Sequence, residues 1–102
     1  MLTTKNIYQI NMYEMKYHPI RLYLFKKRSR LGYSQYRVAR ETGMSHQHYN
    51  RIENGVINYR ITFRTLVKIA RCLKISAHEL IAKEVEYQQQ IISAENDLAG
   101  ML

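Results

Sequence analysis

Four side chains that can hydrogen-bond to the edges of DNA bases lie close together in the sequence: His46, Gln47, Asn50 and Arg51. An Asn or Gln amide can bond N6 and N7 of adenine together, and an Arg guanidinium can bond O6 and N7 of guanine. These residue types and their spacing favour direct recognition of bases, with Gln47 and Arg51 as the leading candidates. For Asn50 the choice between a base and a phosphate stays open, and for His46 a solvated helix face is an equal alternative.

Metal binding and catalysis have no comparable set of residues. His46 and His48 stand two positions apart, so on a helix their side chains point about 200° apart and cannot share a metal ion. The single cysteine, Cys72, is expected to pack near a helical core and fits a reducing compartment. The sequence shows no Gly-rich phosphate loop, no Ser-His-Asp order and no close pair of carboxylates. We therefore expect a protein that is not an enzyme and that uses neither a metal nor a cofactor.

Two short helices joined by a tight turn are predicted to position the base-reading residues. Ser34 and Ser45 are good N-caps, and each begins a helix of about two turns. Gly43 suits the turn between the helices, and Asn54-Gly55 ends the second one.

The second of these helices has a core face and a free face. At roughly 100° per residue, Ser45, Tyr49 and Ile52 share one side, and Gln47 and Arg51 lie on the other. The first side would seal the core, which leaves the polar side free for a ligand.

Three further helices are predicted around this pair. His18-Pro19 opens the first, since Pro is tolerated at the first helical position, and this helix ends near Leu31. Thr62 caps the fourth helix and Ser76 caps the fifth. The pattern therefore predicts an all-α fold of five helices.

The chain is divided into an N-terminal arm (1–17), a helix-turn-helix domain (18–82) and a C-terminal extension (83–102). The arm has a loose period-two pattern, which we interpret as a partly ordered segment. The alternative is a strand, whose partner a second copy of the chain would supply. The extension has an apolar residue at every third or fourth position, formed by Tyr87, Ile91, Ala94, Leu98 and Met101.

This apolar seam favours a helix that pairs with its copy or folds back on helix 1, with a frayed tail as the alternative. Removing the residues after Lys83 is then expected to weaken DNA affinity while the core stays folded.

The charge of the chain favours a polyanionic partner, and its 102 residues suffice for one compact domain. Sixteen Lys and Arg oppose eight Asp and Glu, a formal net charge of +8. Nine basic but only two acidic residues fall between residues 20 and 60, whereas from residue 84 onward there are four acidic residues and no basic one. No apolar run is long enough to cross a membrane and no apolar leader is present, so we expect a cytoplasmic protein.

The segment SQYRVARETGMSHQHYNRIENG (34–55) resembles the helix-turn-helix of the phage-repressor family, of the Cro and lambda-repressor type, also called the xenobiotic-response-element family. The similarity extends from about residue 20 to residue 81. It implies a lambda-repressor-like fold that binds double-stranded DNA sequence-specifically and regulates transcription. The matching features are Ser34-Gln35, Ala39, Gly43, Ser45 and Ile52-Glu53-Asn54-Gly55.

The resemblance also implies roles for individual residues. The position of Gln35 commonly touches a phosphate, and members often pair an Arg near the end of helix 1 with a Glu at the end of helix 3, which are Arg28 and Glu53 here. Arg60 and Arg64, near the next loop and helix start, are further phosphate candidates, with a solvated surface as the equal alternative. The positions that commonly approach base edges are those of His46, Gln47 and Arg51.

The chain departs from the family pattern at four positions. Tyr33 and Tyr36 stand where Leu is frequent, Ile61 where Pro is frequent, and Lys74 where Gly is frequent. These differences affect local packing and loop geometry rather than the fold, because a Tyr ring can fill the volume of a Leu when its hydroxyl reaches water or a partner.

Three functions fit these observations. The first is a transcriptional repressor that binds an inverted repeat as a homodimer, with half-sites about one helical turn apart. The second is the antitoxin of a toxin-antitoxin pair, whose extension or arm holds the toxin, and a neighbouring toxin gene would distinguish it. The third is a protein-interaction module whose basic face meets an acidic partner, which would show no preference among DNA sequences.

Overall fold

The structure is a computed structural model, and it describes residues 10–11, 16–17, 19–57 and 59–100. Within these residues the five predicted helices are present, so the all-α, lambda-repressor-like fold with a helical C-terminal extension is confirmed. In chain order the elements are β1 (Ile10–Asn11), β2 (Lys16–Tyr17), α1 (Leu22–Arg30), α2 (Gln35–Thr42), α3 (His46–Glu53), α4 (Phe63–Cys72) and α5 (Ala77–Gly100).

The predicted caps begin the helices where the sequence places them. The hydroxyls of Ser34, Ser45 and Thr62 each accept a hydrogen bond from the backbone N–H three residues later, at 3.0, 3.0 and 3.1 Å. The Ser76 hydroxyl does the same at the start of α5, at 3.0 Å. These bonds satisfy backbone donors that the first turn of a helix leaves without a partner.

The first helix begins later than predicted. The sequence predicts that the first helix begins at His18-Pro19, but α1 begins at Leu22. His18 lies outside the described residues. The backbone just before the helix makes tertiary contacts instead. The Pro19 carbonyl accepts a hydrogen bond from the Tyr87 hydroxyl at 2.6 Å, and the Arg21 N–H donates to the Glu53 carbonyl at 2.7 Å.

The N-terminal arm contains a short antiparallel ladder. β1 pairs with β2, with Ile10 opposite Tyr17 and Asn11 opposite Lys16. At these four residues the strand alternative is correct, and the partner strand comes from the same arm rather than from a second copy. β2 packs against α5, so α5 supplies the surface that an isolated two-stranded ladder lacks. The rest of the arm lies outside the described residues.

The core forms where α2 packs against both α3 and α4, and α5 then packs against α4. Its buried side chains come from all five helices, so each predicted apolar face contributes to one continuous core. The fully buried members include Leu24, Val38, Tyr49, Ile69, Leu73 and Leu80.

The fifth helix and the C-terminal extension are one continuous helix of 24 residues. The domain division between residues 82 and 83 therefore falls inside α5, and it stays a prediction. Tyr87 and Ile91 of the predicted apolar seam are buried within the chain. This part of the seam therefore packs against the same molecule and is not free to pair with a second copy. The exposed large apolar residues of α5 are Val85 and Ile92.

Lys74 adopts the left-handed backbone conformation, with a φ of 61°, directly after α4. This explains why the family favours glycine here, since a side chain makes that conformation unfavourable by about 1 kcal/mol. We expect Lys74→Gly to raise the free energy of unfolding by about 0.5 to 1 kcal/mol, measured by urea denaturation. The control is Lys68→Gly, at an exposed position inside α4, which should lower the free energy by about 1 kcal/mol. Equal losses in the two variants would contradict the assignment of strain to Lys74.

Candidate nucleic-acid interface

The third helix presents its polar side to solvent. Tyr49 and Ile52 are 0% and 1% exposed, whereas His46, Gln47 and Arg51 are exposed. Three of the predicted base-reading side chains therefore lie together on the free surface of α3, and none of them is used by the core.

One residue on the predicted core side of α3 behaves differently. Ser45 is exposed, and its hydroxyl caps the helix rather than sealing the core. The third buried residue of α3, beside Tyr49 and Ile52, is Glu53, which is 3% exposed. The correction follows from cap geometry, because an N-cap residue is not yet helical and its side chain turns back over the first turn.

Glu53, which is buried, anchors the C-terminal end of α3 through an ion pair with the half-buried Arg28. Its carboxylate accepts hydrogen bonds from Nε and Nη2 of Arg28 at 2.8 and 2.7 Å, the pairing that the family resemblance implied. It also accepts bonds from the Tyr49 hydroxyl at 2.9 Å and from the Gln35 amide at 3.0 Å. The end of α3 is thus tied to both α1 and α2.

The ionisation of Glu53 reflects these partners. Burial by itself raises the pKa of the Glu53 carboxyl, but the hydrogen bonds from Arg28, Gln35 and Tyr49 outweigh it and hold the pKa below its usual value. The carboxylate is therefore charged at neutral pH, and the ion pair persists there.

Two of the predicted DNA-contacting amides bond to each other. Asn50 donates from Nδ2 to Oε1 of Gln35 at 2.9 Å, and Gln35 donates in turn to Glu53. Both side chains are half-buried. They form a polar link between α2 and α3, and their contacts with DNA stay a prediction.

The two predicted phosphate-binding arginines lie beyond α3. Arg60 precedes α4, with its guanidinium 5.8 Å from the centre of the Tyr59 ring, and Arg64 lies in the first turn of α4. Both are exposed, and neither forms an ion pair with any residue that the structure describes. Their charges are available, but no hydrogen bond in the described part of the chain joins them to the α3 residues.

A second ion pair, not predicted from the sequence, is buried. Arg21 is 0% exposed, and its Nε and Nη2 donate to the Glu84 carboxylate at 2.8 and 2.9 Å. Its Nη1 donates to the carbonyls of Ile52 at 2.6 Å and of Ile57, and its guanidinium lies 4.4 Å from the centre of the Tyr87 ring. Arg21 therefore joins the end of α3, the following loop and α5.

A sequence signal for this pair existed. Leu80, Glu84, Tyr87 and Ile91 recur at steps of four, three and four, so Glu84 occupies a core position of the α5 seam. An acidic residue at a core position requires a buried cationic partner. In the charge count, Glu84 is one of the four acidic residues from position 84 onward and Arg21 is one of the nine basic residues between positions 20 and 60.

Two members of this network, Arg21 and Tyr87, keep their protons at neutral pH. Burial lowers the pKa of Arg21, but the hydrogen bonds and the charge of Glu84 outweigh it and raise the pKa above its usual value. Burial raises the pKa of Tyr87 to about 12, so its hydroxyl stays protonated and donates to Pro19.

A family model described as helix-turn-helix matches residues 24–80, which is more than half of the chain. The protein belongs to the phage-repressor type of the helix-turn-helix family. A comparison with curated proteins finds no match. As a member of this family, the chain is a DNA-binding transcription regulator. Arg21 and Glu84 both lie outside the matched segment.

Two solved structures share the fold of this helix-turn-helix protein. ClgR, the clp gene regulator from Corynebacterium glutamicum, gives a TM-score of 0.57 at 18% sequence identity, over 80% of this chain and 84% of ClgR. A complex of the SinR and SinI proteins gives a TM-score of 0.56 at 21% identity, over 74% of this chain and 77% of the matched one. Among the described residues no helix is both long and apolar enough to cross a membrane.

Proposed function

We propose that this helix-turn-helix protein is a cytoplasmic repressor that binds an inverted-repeat operator as a homodimer. The observation that carries the proposal is the exposed row of His46, Gln47 and Arg51 on a helix whose opposite side is buried. A helix of this kind fits the major groove, where Gln47 would read adenine and Arg51 would read guanine.

The anchoring of α3 supports specific rather than general binding. Glu53 holds its C-terminal end to α1 and α2, and Arg21 holds the carbonyl of Ile52 to α5. A reading helix that is fixed before binding loses little conformational entropy when it enters the groove. The geometry of α3 therefore favours discrimination among base pairs.

The remaining predicted DNA contacts go to the backbone in this proposal. Arg60 and Arg64 follow α3 in the chain, pair with no carboxylate among the described residues, and would bind phosphates beside the half-site. Gln35 lies at the N-terminus of α2, where backbone N–H groups attract a phosphate. Asn50 donates a hydrogen bond to Gln35 and would hold α2 and α3 in the relative position that DNA binding requires.

Selection of bound sequences from a random duplex pool tests the proposal. We expect a palindromic consensus with half-sites about one helical turn apart, near 34 Å. A bound pool without any consensus would favour the protein-interaction module instead.

Gln47→Ala should weaken binding to the selected operator by about 1 to 3 kcal/mol and change binding to random duplex little. The readout is the dissociation constant on both duplexes by fluorescence anisotropy. Gln89→Ala, at an exposed position of α5, removes the same amide from a different surface and should bind both duplexes as the parent protein does. Equal losses of Gln47→Ala on both duplexes would assign this residue to the backbone.

A second candidate is the antitoxin of a toxin-antitoxin pair. It is favoured by Val85 and Ile92, which are 48% and 55% exposed and stand seven residues apart on one side of α5. In this alternative a toxin binds the exposed side of α5, while α3 binds the promoter of the pair. A toxin gene next to this one, whose product co-purifies with the chain, would support it.

A further inference from the structure

We propose that Tyr36 and Arg40 on α2 extend the DNA interface, with Arg40 binding a backbone phosphate and Tyr36 orienting both Arg40 and His46. The inference rests on the proposed function, since it adds two further residues of α2 to the same surface. In the sequence, Tyr36 stands out only as a departure from the family pattern.

The three side chains lie next to one another across α2 and α3. The rings of Tyr36 and His46 meet edge to face, with their centres 6.0 Å apart and their planes at 79°. The Arg40 guanidinium carbon lies 5.8 Å from the centre of the Tyr36 ring. Because Tyr36 and Arg40 are one helical turn apart, they share one face of α2. His46 is the first residue of α3, so this face continues directly into the base-reading side.

The core does not account for these contacts. Tyr36 is 59% exposed, whereas Tyr33 on the same segment is buried. Arg37 stacks on Tyr33 at 3.8 Å and forms an ion pair with Glu41. Arg40 has no carboxylate partner among the residues that the structure describes, so its charge is available to an anion.

The position of the Arg40 guanidinium beside the Tyr36 ring suits the binding of a phosphate. A guanidinium held near an aromatic ring keeps its N–H edge free, and that edge fits two phosphate oxygens. Holding the side chain in place reduces the entropy lost when the phosphate binds. The same Tyr36 ring contacts the His46 ring edge to face and so restricts the directions in which His46 can point.

The salt dependence of Arg40→Ala tests the phosphate contact. We expect this variant to bind the selected operator and random duplex several-fold more weakly, by the same factor on both. The slope of log K against log salt should fall by about 0.9 per subunit, because one fewer counterion is released. Arg71→Ala removes the same charge from an exposed position of α4 and should leave the slope unchanged.

Two variants of Tyr36 test its orienting role. Tyr36→Ala should weaken binding as Arg40→Ala does and also relax the consensus at the base that His46 meets. Tyr36→Phe keeps the ring that makes both contacts and should behave as the parent protein.

An unchanged salt slope in Arg40→Ala would overturn the inference, and so would a loss of thermal stability in Tyr36→Ala as large as that of a core variant. The proposed function has a separate test, because Gln47→Ala would still lose operator preference if only this inference were wrong.

Discussion

Glu84→Ala should lower the free energy of unfolding by about 3 to 5 kcal/mol. The substitution leaves the Arg21 guanidinium buried at 0% exposure without its carboxylate partner. It also removes the acceptor for the hydroxyl of Tyr23. Because a domain of this size is stable by about 5 to 15 kcal/mol in total, the loss is large enough to shift the thermal midpoint by many degrees.

Urea denaturation followed by circular dichroism measures this loss. Glu86→Ala removes the same group from an exposed position two residues away and should change the free energy of unfolding by less than about 0.5 kcal/mol. Glu84→Gln keeps one acceptor oxygen and most of the volume, so it should fall between the two. Equal stability of the Glu84 and Glu86 alanine variants would show that the buried pair contributes nothing.

This result would also revise an expectation from the sequence. Truncation after Lys83 was expected to weaken DNA binding while the core stays folded. In the structure that truncation removes Glu84 and Tyr87, two α5 residues that contact the Arg21 guanidinium. We therefore expect the truncated chain to be destabilised at least as much as Glu84→Ala.

Arg28→Ala should have a similar effect at neutral pH, with a loss of about 3 to 5 kcal/mol. It leaves the charged Glu53 carboxylate buried, with Tyr49 and Gln35 as its remaining hydrogen-bond donors among the described residues. Without Arg28, the effect of burial on the pKa of Glu53 is opposed only by these two neutral groups. The variant thus carries a buried charge that is poorly compensated.

The pH dependence identifies the cause of this second loss. In the parent protein the folded-state pKa of Glu53 is lowered, so its stabilising contribution is complete above the unfolded value of about 4.3 and is lost as the pH falls further. The stability difference between parent and Arg28→Ala should therefore shrink below about pH 4. Arg37→Ala breaks the exposed pair with Glu41 and should cost little at either pH. A difference that stays constant with pH would assign the loss to the packing of the Arg28 side chain.

The parts of the fold set by local chemistry could be predicted from the sequence. Ser34, Ser45 and Thr62 begin their helices because a hydroxyl at the N-cap satisfies a backbone donor, and this depends on residues three positions apart. The buried side of α3 followed from its 3.6-residue period, which placed Tyr49 and Ile52 inside.

The parts that depend on distant residues could not be predicted in the same way. Arg21 and Glu84 are 63 positions apart, and only the folded chain brings them together. Helix α1 begins late because Pro19 and Arg21 use their backbone groups in contacts with α5 and α3. Gln35 and Asn50 were predicted as separate DNA contacts, but their side-chain amides form a hydrogen bond between α2 and α3. Their positions in the sequence do not reveal this bond.

Gly55, which follows α3, packs next to two residues that are distant in the sequence: Pro19 before α1 and Tyr87 in α5. Its φ is 81°, and a methyl group there would collide with the Pro19 carbonyl and press on the Tyr87 hydroxyl. The three positions thus share a single volume, so during divergence they are not free to change one at a time. In a relative with a larger residue at position 55, the backbone at position 19 must be displaced and position 87 must hold a residue other than tyrosine. The lineage of this protein should therefore carry glycine at position 55 and tyrosine at position 87 as one inherited set, with the backbone at position 19 packed against both.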